Sequence, residues 1–347
     1  MTQNTATIYD VANEAQVSPA TVSRVLNEPS KVNAEKRDKV LAAIASLHFV
    51  PKAAAVANAR QSYKKIGVIA PFFTQPSFMQ RLRGISNVLS GHHYEIVVYS
   101  IESQEEMLEY IDMLTGSRRV DGLIVLCLKL TDMMLSKLRE SGISVCFVES
   151  NMEGFDSVVI DNESGGKLAA EFLFNKGYRR PGFVGESSNK TYAVPATEER
   201  LRGFTGFFAK HGISIMTEHT WLGEFTDQKV DEGISRLLSQ KVLPDCILAS
   251  SDLIAIRVMK LAKINGIQIP EDIALVGFDN LDFTEYLNLT TVSQELDESG
   301  RTAAELILDR QKDPDRTARK VHIQLRIVER ATTGTKTGSK NITGGLI

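Results

Sequence analysis

From Lys65 onward, short apolar runs rich in β-branched residues alternate with longer stretches whose apolar positions recur at helical spacing. Few folds tolerate that alternation. Short strands that are apolar on both faces must be buried on both faces, which demands a parallel sheet with helical crossovers. The pattern predicts strands at 66–70, 95–100, 122–127, 145–149, 157–160, 181–185, 246–249 and 274–278. Between them it predicts helices such as 78–89, 104–114, 167–175, 199–210, 228–239 and 251–265. At 347 residues the chain has room for two or three domains.

One repeat divides this α/β body in two. Arg81-Leu82-Arg83-Gly84-Ile85 returns as Arg200-Leu201-Arg202-Gly203-Phe204, each following a strand and leading into a helix that ends near a histidine, His92 or His211. Two duplicated parallel-sheet lobes across a cleft describe a periplasmic-binding-protein-like body, which closes on ligands by hinge motion. Lobe crossings are expected near 160–163, 292–294 and 320–323. In open parallel sheets, ligands sit beyond the carboxyl ends of the strands. The polar residues there are Glu149, Asp161, Asn162, Ser251, Asp252 and Asp279, and Arg200 opens the second repeat helix. Carboxylates beside a fork-shaped guanidinium suit the hydroxyls of a sugar, with Phe72, Phe73 or Phe225 against its apolar face. Asp252 reads better as a helix cap. Asp161 and Asn162 fit either ligand contact or the crossover itself.

Other chemistries are poorly served. No Gly-x-Gly-x-x-Gly follows a strand, no Gly-x-Ser-x-Gly appears, and the six histidines lack metal-ligand spacing. Residues 185–191 hint at a phosphate loop without its second glycine. Cys127, Cys146 and Cys246 stand far apart inside apolar runs, as buried reduced thiols do. Neither catalysis, metal nor cofactor is expected. No apolar run approaches the roughly 20 residues of a membrane helix. The opening residues hold neither a basic patch nor an apolar stretch, so a cytoplasmic protein is expected.

The first sixty residues obey a different rule. Thr7 with Asp10 three residues on is a capping-box variant, and Ile8, Val11, Ala12 and Ala15 fall on one helical face. Ser18-Pro19 is a cap followed by a first-turn proline, opening a second short helix whose Val22, Val25 and Leu26 face inward. A third helix from about Asn33 to Leu47 closes the core with Val40, Leu41, Ile44 and Leu47. Two short helices around a tight turn, the second exposing small polar residues at its start, form a helix-turn-helix. Charge agrees: residues 1–65 hold nine Lys and Arg against five Asp and Glu in a chain of net charge −3.

The wording of this head is more specific than its pattern. Thr7-Ile8-Tyr9-Asp10-Val11-Ala12, then Val17-Ser18 and Thr21-Val22-Ser23-Arg24-Val25-Leu26-Asn27, resembles the lactose-repressor/galactose-repressor family of bacterial transcription regulators. Val276-Gly277-Phe278-Asp279-Asn280 and Leu289-Thr290-Thr291-Val292-x-Gln294 carry the resemblance across nearly all of 6–330. It implies that Pro19, Ala20 and Arg24 read bases, that Thr7, Ser18, Thr21, Ser23 and Asn27 touch phosphates, and that Asn33 and Lys36 lie near the DNA backbone. Pro19 and Ala20 offer no side-chain hydrogen bonds, which leaves Arg24 as the main polar reader. Residues 49–62 correspond to the family's hinge helix, where relatives wedge a leucine into the minor groove. Here that place holds Asn58, a poor wedge, so weaker bending is expected, or Val56 acting instead. On the same footing Glu149, Arg200, Phe225, Ser251, Asp279 and Leu296 line the effector pocket, with Ser251 where relatives often have Asn.

The expected organisation is a three-helix head (1–49), a hinge (50–64), a first lobe (65–161 with 294–320), a second lobe (162–293 with 321–330) and a flexible tail (331–347). The implied function is repression at a two-half-site operator in the bacterial nucleoid, controlled by a sugar or related metabolite. A homodimer is expected, because a single small head buries little DNA and operators of this kind are pseudo-palindromic; without the leucine ladder that tetramerises some relatives, a dimer is expected rather than a tetramer. The alternative is the same fold serving a nucleoside, nucleobase or phosphoprotein, and more remotely a sugar-binding or sugar-processing protein.

Overall fold

The computed structural model describes residues 6–27, 29–47, 49, 62–71, 74–117, 119–187, 190–224 and 226–335. The head is three helices, α1 (Ile8–Glu14), α2 (Pro19–Asn27) and α3 (Ala34–Ser46). Each start is set by a side chain that accepts an otherwise orphaned backbone N–H. Thr7 and Asp10 form the reciprocal capping box, Ser18 Oγ accepts from the Thr21 amide at 3.2 Å, and Asn33 Oδ1 accepts from the Glu35 amide at 2.9 Å. Val11, Ala12, Ala15, Val22, Val25, Val40 and Ala43 make the buried core. Leu41, expected inside, is 50% exposed; one residue past Val40, it is turned off the face that Val40, Ala43, Ile44 and Leu47 present to the core.

The body is two six-stranded sheets of matching order. The strands are β1 (Lys65–Ala70), β2 (Glu95–Ser100), β3 (Gly122–Leu126), β4 (Ser144–Val148), β5 (Asp156–Val159), β6 (Pro181–Glu186), β7 (Thr220–Gly223), β8 (Cys246–Ala249), β9 (Ala274–Asp279), β10 (Thr290–Ser293), β11 (Lys320–His322) and β12 (Arg326–Val328). The first sheet runs β11-β5-β4-β3-β1-β2, and the second β12-β10-β9-β8-β6-β7. All pairings are parallel except β10 with β12. The helices are α4 (Pro76–Gly91), α5 (Gln104–Ser117), α6 (Asp132–Ser141), α7 (Asn162–Asn175), α8 (Ala196–Lys210), α9 (Asp227–Leu238), α10 (Asp252–Ile264) and α11 (Leu296–Lys312). α4 and α11 cover one face of the first sheet, α5 and α6 the other; α7 with α8 and α9 with α10 do the same for the second.

The duplication extends past the tetrapeptide that signals it. In each lobe the repeat helix crosses a partner at glycines, because backbone touches backbone there. A Cβ on Gly84 would stand 2.0 Å from the Asp297 carbonyl oxygen, and one on Gly300 2.1 Å from that of Arg81. In the second lobe, Cβ atoms on Gly203 and Gly166 would each stand 1.9 Å from the carbonyl oxygens of Glu163 and Arg200. Matching ion pairs flank the crossings: Arg83 with Asp297, and Arg202 with Glu163.

The chain changes sheets between β5 and α7, between β10 and α11, and between β11 and β12. β11 pairs with β5, so residues 321 and 322 belong to the first lobe rather than the second. The expected flexible tail is wrong for its first residues, since Thr332 and Thr333 are buried. Thr332 Oγ1 donates to the Leu275 carbonyl and accepts from the Thr290 amide, both at 2.8 Å. A second-lobe loop also docks on the first lobe: Tyr192 joins the core under α5 and α6, and the Val194 amide donates to the Cys127 carbonyl at 3.0 Å. Among the described residues no helix is long and apolar enough to cross a membrane.

Candidate functional site

Parallel strands deliver their carboxyl ends to one edge of each sheet, and here the two edges face each other across a cavity of about 460 Å³. That volume lies within the usual range for small-molecule sites. Glu149, Arg200, Ser251 and Asp279 line it, as expected from their positions after strands. Phe78, Arg81, Cys127, Glu186, Lys190, Thr197, Glu198, Glu224 and Gln294 line it too, and were not anticipated. Leu296, buried as the first residue of α11, is not among the lining residues. Phe72, Phe73 and Phe225 lie outside the described residues.

Each wall carries an arginine and an acid. On the first, Arg81 from α4 reaches Glu149 just after β4 in an ion pair whose side chains are 2% and 4% exposed. On the second, Arg200 from α8 reaches the end of β9, where Asp279 points inward. Glu149 and Asp279 both have positive φ, 65° and 126°, so each strand ends by twisting its acid off the sheet. Arg200 stacks on Phe278 at 3.8 Å, and its Nε donates to Asn162 Oδ1 at 2.9 Å and its Nη1 to the Ser250 carbonyl at 2.5 Å. Among the described residues no carboxylate comes within ion-pair distance of Arg200, so part of its fork faces the cavity.

Burial governs the protonation of these acids. It pushes the Asp279 carboxyl up to about 7, although Arg200, Arg81 and Gln294 all favour its charged form. Burial also raises Glu186, which accepts a hydrogen bond from Ser250 Oγ at 2.6 Å. Burial opposes ionisation of Glu149 as well, but there the Arg81 guanidinium prevails and holds the carboxyl below its ordinary range. The Cys127 thiol is pushed far up by burial, which makes it a poor nucleophile.

Three further side chains are held by structural hydrogen bonds. Ser251, not Asp252, caps α10, accepting from the Ile254 amide at 3.3 Å. Asp252 is fully buried; it accepts from Thr291 Oγ1 at 2.6 Å and the Leu281 amide at 2.8 Å, tying the strand ends together. Asp161 caps α7 at the crossover.

In the head, Ser18, Ala20 and Arg24 are exposed along the start and outer face of α2, with Thr7, Asn33 and Lys36 exposed beside it; Pro19, Thr21 and Ser23 are half-buried. Tyr9, to which the sequence assigned no role, is 67% exposed on α1. The Asn27 side chain, Val56 and Asn58 lie outside the described residues.

A helix-turn-helix on a two-lobed body with a charged cleft defines a DNA-binding regulator that answers to a small ligand. Residues 7–52 match the profile of bacterial regulatory proteins of the lacI family, and 170–333 that of the periplasmic binding protein-like domain. The HTH-type transcriptional repressor PurR of Photobacterium profundum is 30% identical over 322 residues, covering 90% of this chain and 94% of the relative. The crystal structure of a LacI family protein from Silicibacter pomeroyi superposes with a TM-score of 0.79 at 29% identity, over 94% of this chain and 98% of that one. A LacI family regulator from Enterococcus faecium with bound ribose gives 0.68 at 26% identity, over 79% of this chain and 100% of that one. The chain belongs to the lacI family of helix-turn-helix transcriptional repressors, and its body is the effector-binding part.

Proposed function

We propose that this protein represses transcription as a homodimer on a two-half-site operator in the bacterial cytoplasm, and that a sugar-class effector held in the cleft sets its grip on DNA. The observation that carries the effector reading is the opposition of two arginine–acid sets in one cavity. Carboxylates accept from hydroxyls and guanidinium groups donate to them, and a sugar offers both roles on adjacent carbons. The ribose bound by the Enterococcus faecium protein supports the same class. On the DNA side, Arg24 reads base edges, Ala20 and Pro19 give apolar contact, and Thr7, Ser18, Thr21, Ser23, Asn27, Asn33 and Lys36 serve phosphates. Val56 and Asn58 fall in the hinge that meets the minor groove, and Phe72, Phe73 and Phe225 serve as stacking surfaces for the effector. Effector binding favours one lobe arrangement and thereby one spacing of the paired heads, a linkage of two sites.

The test has two arms. Selection from random duplexes should enrich a pseudo-palindrome with the full chain and nothing with residues 1–62 deleted. A thermal-shift panel of sugars, nucleosides and sugar phosphates should raise the melting temperature with sugars, since only the native state binds. Enrichment of no sequence would sink the operator reading, and a response to nucleosides alone would replace the effector class.

A further inference from the structure

Arg81 holds in the first lobe the place that Arg200 holds in the second, yet its donors are engaged differently. Its Nε donates to Ser299 Oγ and its Nη1 to Cys127 Sγ, both at 3.3 Å, while Nη2 donates to Glu149 and, at 3.3 Å, to Gln294 Oε1. These partners sit on α11, after β3, after β4 and on the stretch where the chain crosses from β10 to α11. Gln294 is itself 2% exposed, and its Nε2 donates to Asp279 at the end of β9 in the other lobe. A carboxamide has one acceptor end and one donor end. A guanidinium on the oxygen therefore turns the N–H toward Asp279. With the oxygen free, the amide has no reason to keep that orientation.

We propose that Arg81 is a positioning and specificity-determining residue of the effector site: it fixes Glu149 on one wall and, by orienting the Gln294 amide, Asp279 on the other. The two acids then meet a ligand as a pair of set separation, so the cleft favours an effector that donates hydrogen bonds to both lobes at once. The functional consequence rests on the cleft being the effector site; the positioning itself does not need a ligand to be measured.

Asp279 is the reporter. Arg81 of α4, Arg200 of α8, Gln294, Glu186 at the end of β6 and Asp252 of α10 are the polar and charged groups that face it. Its titration is read by carbon-13 NMR in the full chain labelled at aspartate carboxyls, with the resonance assigned by Asp279→Asn. Arg81→Met and Gln294→Leu are each expected to raise the midpoint by about half a pH unit or more, through loss of a cation and of a hydrogen bond. The double variant should rise by less than the two together, because losing Arg81 already releases the amide. Arg81→Lys should recover part of the shift. If burying Glu149 unpaired prevents folding of Arg81→Met, Arg81→Met with Glu149→Gln supplies the same comparison. Strictly additive midpoints would mean that Arg81 acts on Asp279 by charge alone and would overturn the positioning role, as would an unmoved midpoint in folded Arg81→Met. Failure of the effector reading shows elsewhere, as a panel without a single thermal shift.

Discussion

Gly84→Ala is the sharpest test of the packing that carries the site. The added methyl would sit 2.0 Å from the Asp297 carbonyl oxygen, 2.8 Å from its carbon and 3.0 Å from the Arg301 nitrogen, all of them backbone. Ordinary contact lies near 3.5 Å, so α4 and α11 must part by more than an ångström. That gap weakens the contacts of Ile85 and Leu89 with Ala303, Ala304 and Ile307, which pack together beneath the crossing. Overpacking of this kind costs about 1–3 kcal/mol and sometimes more; the better helix propensity of Ala returns up to about 1 kcal/mol. A net loss of about 1–2 kcal/mol is expected. Urea unfolding followed by far-ultraviolet circular dichroism measures it. Gly203→Ala, its counterpart, should cost the same, since its Cβ would meet the Glu163 carbonyl at 1.9 Å. Gly116→Ala, where nothing lies within 4 Å, should be neutral or stabilising. A Gly84→Ala midpoint equal to wild type, or a Gly116→Ala loss of the same size, refutes the reasoning. The parting also draws Arg81 away from Ser299, so Asp279 should titrate higher in Gly84→Ala than in wild type.

Because the Asp279 carboxyl stands at about 7 when folded and near 3.8 when unfolded, its contribution is present in full below pH 3.8 and lost as pH rises through 7. Melting temperature should therefore fall between pH 5 and 8 more steeply in wild type than in Asp279→Asn; equal slopes would contradict the burial of this acid. Arg24→Ala should lose about 1–3 kcal/mol of operator affinity and relax base preference, whereas Lys36→Ala should weaken all sequences alike and reduce the salt dependence by about one ion; gel shifts at several salt concentrations separate the two. Thr332→Val leaves the Thr290 amide and the Leu275 carbonyl without their partner and should cost about 1–3 kcal/mol in chemical denaturation, with no change if this stretch were a loose tail.

The elements most legible in the sequence are those with local causes. Thr7 with Asp10, and Ser18 before Pro19, announce helix starts because a cap is a matter of three or four residues. The long buried strands announce themselves through continuous apolar runs. β7, β11 and β12 do not: they are three or four residues long and only partly buried, so no continuous apolar run marks them. Thr332 and Thr333 look like tail composition for the same reason, since long-range hydrogen bonds bury them. In the site, Arg200 and Asp279 are visible from strand-end position and from family resemblance. Arg81 was on view as the first arginine of the repeat, but a repeat speaks of architecture. Only the fold shows that the duplicated side chain faces the same cavity. The cap of α10 fell to Ser251 rather than Asp252, because neighbouring polar residues at a helix start compete for one cap and Asp252 is held by the distant Leu281 amide and Thr291 hydroxyl.

The edge position of β11 has a bearing on how the molecule is made. The head needs only its own residues to fold, whereas the first sheet lacks β11 and the cover of α11 until the chain has passed residue 322. At synthesis rates of 5–20 residues per second, roughly 15–55 s separate a finished reader from a finished sensor. Throughout that interval a nascent chain carries a DNA-binding head with no completed gate. In the homodimer proposed above, a second head would arrive only with a finished body, so an early head would meet a half-site alone.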